Sequence, residues 1–322
     1  MRYNQSIVAG TFDPLTQDDV DFLLLSANMC NHLAVIILDQ PAVQSTELRK
    51  RYRWVYDTIK HFPSVRIIPV TDCEKAFGTE WILCHFPEIQ KQAGERIDSV
   101  FVRNDESEKI WSAAVSGIPV VNLGPDMPAK MAPYALPRWV QPSFVKKVLI
   151  SGVESTGKTT LAISLARHYN TVWEEETGRD ISMRSGTNKW MIGEDNTDIL
   201  LQTKTREAEL LQQANNLIFI DTDCICTMFY LSFLDTPGRN ENMALAEAIA
   251  KINKYDLVIL LNHDVPSIQD GDRSDDISEN KAFYTQQLRS LYETHNIPTV
   301  LVGGDYLNRY TQSIKLVDSL PD

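Results

Sequence analysis

The chain has 322 residues, of which 43% are hydrophobic and 23% charged, and its formal net charge at pH 7 is −12. This length predicts two domains, while the negative charge argues against a protein that coats duplex nucleic acid, because such a protein needs a basic face. Neither an 18-residue apolar run nor a signal-peptide segment occurs, and the five cysteines form no C-x-x-C pair, so we expect a cytoplasmic protein with reduced thiols and no membrane partner.

The first 123 residues alternate short apolar runs with amphipathic stretches. The predicted strands are Ser6–Ala9, Leu33–Leu38, Arg66–Val70, Ser99–Val102 and Pro119–Leu123. The predicted helices lie around Asp19–Cys30, Thr46–His61, Thr79–Gln92 and Glu106–Ser116. Continuous apolar runs separated by helices are typical of buried parallel strands. Residues 1–123 therefore predict a doubly wound α/β domain with its ligand crevice beyond the carboxyl ends of the strands.

The loop after the first strand carries a recognisable motif. Residues 8 to 19 read VAGTFDPLTQDD and resemble the G-x-F-x-P-x-[HT]-x-G-H opening of nicotinamide mononucleotide adenylyltransferase-type nucleotidyltransferases. The residues that fit are Gly10, Phe12, Pro14 and Thr16. Asp18 and Asp19 stand where that family has Gly and His. The resemblance covers roughly residues 5 to 123 and implies a Rossmann-like fold.

The two aspartates predict a loss of adenylyl transfer. This reaction uses no protein nucleophile and depends on positioning and positive charge around phosphate. At about 4 Å and an effective dielectric of about 20, unit charges interact by roughly 4 kcal/mol, so a repulsive carboxylate is costly. Replacing a group that attracts the phosphate by a carboxylate that repels it predicts that the rate of adenylyl transfer falls on the order of 10³-fold or more.

A second element of that family, I-S-x-T-x-x-R, is expected near residues 126 to 140. The chain has DMPAKMAPYALPRWV there, with Lys130 and Arg138 but without the motif. The two losses together favour a catalytically silent domain that still binds nucleotide or serves as an assembly surface.

Residues 124–145 are predicted to form a linker that packs against one or both domains. They contain five of the fifteen prolines, which disfavour helices and strands: Pro125, Pro128, Pro133, Pro137 and Pro142.

Residues 146–322 predict a second doubly wound domain. Its predicted strands are Val148–Ser151, Thr171–Trp173, Leu217–Asp221, Leu257–Leu261 and Thr299–Val302. The first of these strands leads into GVESTGKTT and then a helix, which is the pattern of a phosphate-binding loop. A chance match before a helix is the alternative, but the strand before the loop and the helix after it favour the phosphate loop.

This loop predicts an ATP and Mg²⁺ site. Gly152 and Gly157 allow backbone N–H groups to turn inward, Lys158 adds a point charge for the β- and γ-phosphates, and the Thr159 hydroxyl is a candidate Mg²⁺ ligand. The predicted ATP and Mg²⁺ residues are Gly152, Glu154, Ser155, Thr156, Gly157, Lys158, Thr159, Thr160 and Asp221.

Further polar residues follow the predicted strands. Asp221 and Asp223 end the strand LIFIDTD; one is a candidate for the magnesium shell and the other for accepting a substrate proton, with helix capping as the alternative. Arg273 is the only basic residue of a predicted mobile loop and a candidate lid residue for phosphoryl charge, or a solvated arginine among acids. The acids 174 to 176 are a solvated helix start or supply a ribose ligand.

GVESTGKTTLA, GRDI, FIDTD, and YDLVILL followed by DGDR resemble, in order and spacing, the ribosylnicotinamide kinase domain of the NadR family. The resemblance covers about residues 146 to 318 and implies that ATP phosphorylates the ribose 5′-hydroxyl of nicotinamide riboside. By position it assigns Lys158 and Thr159 to ATP–Mg²⁺, Glu176 and Arg179 to the substrate side, Asp221 and Asp223 to the strand-end carboxylates, and Arg273 to the lid.

One position departs from this pattern. Where the family often has a Trp before the lid, the chain has Ser267, so Trp173 or Trp190 is a candidate for stacking on the pyridine. The family's helix-turn-helix module does not precede the first strand, and we expect no transcriptional control by this chain.

Three functions are compatible with these motifs. The favoured one is a nicotinamide riboside kinase with a degenerate adenylyltransferase domain. The others are an intact kinase and adenylyltransferase pair that makes NAD⁺, and a nucleotide-sensing regulator without turnover. The oligomeric state stays open, although α/β enzymes of this kind often form homo-oligomers.

Overall fold

The computed structural model describes residues 3–39, 44–71, 77–124, 136–185, 191–233, 237–265, 277 and 279–321. The chain divides into two compact units, Met1–Gln141 and Pro142–Asp322.

The first unit is a parallel five-stranded sheet with helices between its strands. Its strands are β1 (Tyr3–Gly10), β2 (Cys30–Leu38), β3 (Val65–Val70), β4 (Ser99–Val102) and β5 (Val120–Asn122). Its helices are α1 (Gln17–Met29), α2 (Leu48–Ile59), α3 (Thr79–Ala93) and α4 (Asp105–Ala114). The strand order is β3-β2-β1-β4-β5.

Alternating side chains of the first sheet feed two apolar cores. Val8 packs with the residues of α1 and α2 on one face, whereas Ile7 packs with those of α3 and α4 on the other. The chain therefore leaves the adjacent strands β1 and β4 toward opposite faces, and a crevice opens beyond their carboxyl ends.

The second unit repeats this architecture with a different strand order. Its strands are β6 (Lys146–Ser151), β7 (Val172–Glu174), β8 (Leu217–Asp221), β9 (Leu257–Leu261) and β10 (Val300–Val302), in the order β10-β9-β6-β8-β7. Its helices are α5 (Lys158–His168), α6 (Thr177–Ser185), α7 (Gly193–Leu211), α8 (Cys224–Leu231), α9 (Arg239–Ile252), α10 (Lys281–Thr294) and α11 (Tyr306–Asp318).

The crevice of the second unit lies between β6 and β8. Helix α5, after β6, packs on one face of the sheet, and helix α8, after β8, packs on the other. Ile150 pairs in register with Asp221, so the phosphate loop and the Asp221 carboxylate start from the same edge of the sheet.

The predicted fold class, two doubly wound parallel-sheet domains, is confirmed. The strands match closely in both halves, and the largest differences are that β1 begins at Tyr3 rather than Ser6 and β2 at Cys30 rather than Leu33. Asn4 and Gln5 are polar, so they extend no apolar run, yet the backbone there already pairs with β2. No helix in the described ranges is long and apolar enough to cross a bilayer.

Candidate functional site

The loop between β6 and α5 has the geometry of a phosphate cradle. Gly152 and Gly157 have φ values of 153° and 84°, which favour glycine, and Ser155 has a φ of 58°. A Cβ atom on Gly152 would lie 2.7 Å from Thr156 Oγ1, so glycine is also required sterically. Gly157 caps α5 without a side-chain hydrogen bond, which leaves the first N–H groups of the helix available to an anion.

Lys158 lies at the start of α5, 7% exposed, with Nζ 3.4 Å from the Val153 carbonyl oxygen. Burial alone would lower the pKa of Lys158, but the neighbouring carboxylates of Glu176 and Asp221 outweigh it and hold this pKa above its usual value. The ammonium group therefore stays charged at neutral pH, as phosphate binding requires.

Asp221 and Thr159 meet across the crevice. Thr159 Oγ1 donates a 2.5 Å hydrogen bond to Asp221 Oδ2, while Asp221 Oδ1 is buried without a partner. Burial raises the pKa of Asp221 to about 6, against the opposing charge of Lys158. Mg²⁺ prefers oxygen ligands and commonly takes one or two from the protein and the rest from phosphates and water. A hydroxyl beside a carboxylate with an unsatisfied oxygen fits that requirement.

An open cleft runs from the phosphate loop to the start of α6. The residues that line it are Ser155, Gly157, Lys158, Thr159, Thr160, Glu176, Arg179 and Tyr306. The structure thus brings Glu176 and Arg179 to the phosphate loop, as the predicted substrate side requires. Of the other predicted ATP residues, Thr156 is buried, with Oγ1 donating to the Val153 carbonyl, and Glu154 is half-buried.

Tyr306 is a residue of this cleft that sequence reasoning missed. It begins α11 directly after the turn that follows β10, and it is 49% exposed. Its ring lies 3.1 Å from the position that a Cβ on Gly157 would take. A search beyond the carboxyl end of every predicted strand would have found it, because ligands of doubly wound sheets bind there.

Asp223 follows β8 and caps α8. Its Oδ1 accepts hydrogen bonds from the Ile225 and Cys226 N–H groups and lies 2.8 Å from the Tyr292 hydroxyl, whereas Oδ2 is buried without a partner. Burial raises the pKa of Asp223 to about 6, although the bond from Tyr292 opposes this rise. Oδ1 of Asp223 therefore caps the helix, which is the alternative role considered from the sequence. A role for Oδ2 in proton transfer stays a prediction.

Several predicted residues receive no structural description. Arg273, Ser267, Trp190 and Lys130 lie outside the described residues. Trp173 is described and packs against the apolar core beside α5, partly buried. Of the three consecutive acids, Glu175 is exposed, Glu176 faces the cleft, and Glu174 is 1% exposed, so the run is not a uniformly solvated helix start.

In the first unit, the motif residues form a compact turn. Phe12 is buried with a φ of 50°, and its ring lies 3.0 Å from the position that a Cβ on Gly10 would take, so Gly10 makes room for Phe12. Thr16 caps α1 and forms a capping box with Asp19. Asp18 is half-buried in the first turn of that helix.

Asp19 is paired, unlike the free repulsive charge that the sequence predicts. Its Oδ2 accepts 2.8 Å hydrogen bonds from the Thr16 N–H and hydroxyl groups, and its Oδ1 lies 2.7 Å from Arg103 Nη1. Arg103 directly follows β4, so this ion pair spans the crevice between β1 and β4. Asp19 thus neutralises the positive charge of Arg103. Arg138, the basic residue of the missing second motif, is exposed.

Known proteins resemble this chain over nearly its whole length, and a family model matches its second half. The AAA domain family model matches residues 147–309. The trifunctional NAD biosynthesis/regulator protein NadR of Salmonella typhimurium is 26% identical over 352 aligned positions, covering 98% of this chain and 83% of the relative. NadR of Escherichia coli is also 26% identical, covering 97% of this chain and 82% of the relative.

Two solved structures share the whole architecture. A crystal structure of a NadR protein in complex with NR has a TM-score of 0.78 and 19% identity, covering 99% of this chain and 96% of the other. A NadR protein in complex with NAD and AMP-PNP has a TM-score of 0.76 and 17% identity, with coverages of 99% and 97%. The predicted resemblance to NadR proteins is confirmed.

Proposed function

The chain belongs to the AAA domain family, and on that premise we infer that its second unit is a kinase that transfers the γ-phosphoryl group of ATP to the ribose 5′-hydroxyl of nicotinamide riboside. The observation that carries this proposal is the convergence of Lys158, the Thr159–Asp221 pair and Glu176 on one open cleft. The nicotinamide riboside substrate is supported by the relatives, which include a NadR protein solved in complex with NR.

ATP is held by the loop that starts at Gly152. Backbone N–H groups at the start of α5 bind phosphate oxygens, and the charged Lys158 side chain bears on the β- and γ-phosphates. Thr159 and Asp221 would hold Mg²⁺, which would offset the negative charge of the phosphates. A protein of this kind contributes chiefly position and charge, because the phosphoryl group moves without a covalent protein intermediate.

The nucleoside lies on the Glu176 and Arg179 side of the cleft. A Glu176 carboxylate accepts hydrogen bonds from ribose hydroxyls, and the buried Asp223 takes the proton of the attacking 5′-hydroxyl. The O5′–P bond forms as the bond between the γ-phosphorus and its bridging oxygen breaks, and ADP leaves. Arg273 is proposed as the lid residue that meets the γ-phosphoryl charge.

We propose further that the first unit does not transfer adenylyl groups. The Asp19–Arg103 ion pair occupies the crevice where a mononucleotide phosphate would need an unpaired positive charge. This reason replaces repulsion by a free carboxylate, since Asp19 is paired.

A product assay tests both halves. The protein with Mg²⁺–ATP and nicotinamide riboside is expected to form nicotinamide mononucleotide and ADP without the dinucleotide. Dinucleotide formation would refute the silent first unit, and tight ATP binding without phosphate transfer to any nucleoside would favour a sensor instead.

Lys158→Ala is expected to abolish this phosphorylation while the protein stays folded. Removing a positioned phosphate-binding charge costs about 10²-fold or more in rate. The matched control is Lys251→Ala, an exposed lysine on α9 of the same unit, which is expected to leave turnover unchanged. Retained turnover in the Lys158 variant would contradict the phosphate-loop assignment.

A further inference from the structure

The buried side chain of Arg309, on α11, ties together three separate segments of the second unit through four hydrogen-bonding partners. It is 2% exposed. Its Nη1 donates to the Thr156 carbonyl in the phosphate loop, and its Nε donates to the Gly304 carbonyl at 2.8 Å. Its Nη2 donates to the Asn262 carbonyl at 3.0 Å and to Asp264 Oδ1. One guanidinium thus joins the phosphate loop, the segment after β9, and the turn between β10 and α11.

The bond to the phosphate loop determines the direction of a peptide group. A trans peptide is planar, so its C=O and N–H point in opposite directions. Because Arg309 holds the Thr156 carbonyl, the N–H of Gly157, which belongs to the same peptide, points away from Arg309. Gly157 precedes the first turn of α5, where N–H groups face a bound anion.

We propose that Arg309 is a positioning residue for phosphate binding, which holds the peptide between Thr156 and Gly157 in the orientation that presents its N–H to a nucleotide phosphate. The inference rests on the proposed function in that the phosphate ligand is ATP. Arg309 does not contact the ligand; it acts through the Thr156 carbonyl.

Asp264 neutralises the positive charge of Arg309. Its Oδ1 pairs with the guanidinium, and its Oδ2 accepts a 2.6 Å bond from the Gly304 N–H. These bonds hold the pKa of Asp264 below its usual value although partial burial opposes them, so the carboxylate stays ionised. The pair therefore contributes geometry rather than net charge. It also anchors the turn from which Tyr306 enters the cleft.

Arg51 in the first unit supplies a matched control. It is fully buried, its Nη1 donates to the carbonyls of Thr11 and Leu38, and its Nη2 pairs with Asp39. Its chemistry resembles that of Arg309, but it belongs to the other unit.

The experiment measures the affinity of the full-length protein for Mg²⁺ and a nonhydrolysable ATP analogue by calorimetry. Arg309→Lys keeps the charge that Asp264 requires but cannot bond all four partner groups with its single ammonium group. Losing a charge-assisted hydrogen bond that orients the cradle is expected to weaken binding about tenfold or more. Adenosine, which has no phosphate, is expected to bind both proteins alike, whereas Arg51→Lys should change analogue affinity by less than about twofold.

The outcomes separate this inference from the proposed function. A folded Arg309→Lys protein with wild-type analogue affinity would overturn the inference, whatever nucleoside the wild type phosphorylates. Equal losses for adenosine and the analogue would indicate a merely structural role and would overturn it as well. If Arg309→Lys does not fold, Asp264→Asn decides, because it frees the guanidinium from its anchor; we expect about threefold or more weaker binding, and unchanged affinity would refute the proposal.

Discussion

Asp223 combines a capping oxygen with an unpaired one, and the two can be separated by substitution. Asp223→Asn keeps an oxygen that caps α8, since Asn is as good a cap as Asp, but it removes the proton acceptor. We expect kcat to fall by about 10²-fold or more. Unfolding by urea should show unchanged or higher stability at pH 7.5, because burial disfavours the ionised form of Asp223, whose pKa is raised to about 6.

Wild-type turnover in Asp223→Asn would remove Asp223 from the proton-transfer role and leave it as a cap. The comparison variant is Asp305→Asn at the cap of α11, where Oδ1 accepts from the Asn308 N–H. It makes the same chemical change at a position outside the proposed proton transfer.

The raised pKa of Glu174 predicts that the second unit loses stability as pH rises. Burial, and then the charge of Glu207, raise the pKa of Glu174 to about 8 from 4.5, against the charges of Lys204, Arg206 and Lys147. The folded form therefore holds its proton more tightly than the unfolded form. This stabilisation is complete below about pH 4.5 and disappears as pH rises through about 8.

The measurement is the free energy of unfolding between about pH 7.5 and about 9, where Asp221 and Asp223, each with a pKa of about 6, are almost fully ionised. Glu174→Gln should flatten the pH dependence in this window, whereas Glu175→Gln, at the exposed neighbouring position, should leave it as in the wild type. Parallel profiles for wild type and Glu174→Gln would show that Glu174 does not hold its proton at neutral pH.

At the level of secondary structure, the start of α1 depends on Asp19. Asp19→Ala removes its half of the capping box and the ion pair with Arg103. We expect a loss of about 1–2 kcal/mol, because caps contribute about 1 kcal/mol and a partly exposed ion pair less than that. Hydrogen exchange of α1 amides in the full-length protein should accelerate. Asp18→Ala, in the same turn, should have a smaller effect, and equal acceleration would contradict the structural role of Asp19.

Strands and the phosphate loop were predictable from sequence because their signals are local. A buried parallel strand such as Leu217–Asp221 is a continuous apolar run, and the loop from Gly152 to Thr159 has fixed spacing between strand and helix. Tyr306 and Arg309 carry no local signal, since both acquire their contacts only when β10 places α11 beside the phosphate loop. The pairing of Asp19 with Arg103, 84 positions along the chain, was hidden for the same reason.

Across the whole molecule, the two units present their crevices differently. In the first unit, an ion pair bridges the carboxyl ends of β1 and β4. In the second, the cleft beyond β6 and β8 is open, and Lys158 faces it as a cation balanced by carboxylates. A nucleoside triphosphate is therefore expected to bind much more tightly to the second unit than to the first, although the two have similar architectures.

This difference predicts stabilisation confined to one unit. Ligand at about 100 times its dissociation constant stabilises the domain that binds it by about 2.7 kcal/mol. With Mg²⁺ and a nonhydrolysable ATP analogue, hydrogen exchange in the full-length protein should slow around residues 152–160 and 221, while residues 10–19 should exchange as in the free protein. Slowed exchange around residues 10–19 would mean that nucleotide displaces the Asp19–Arg103 pair, and the first unit would then be a second nucleotide site despite its altered motif.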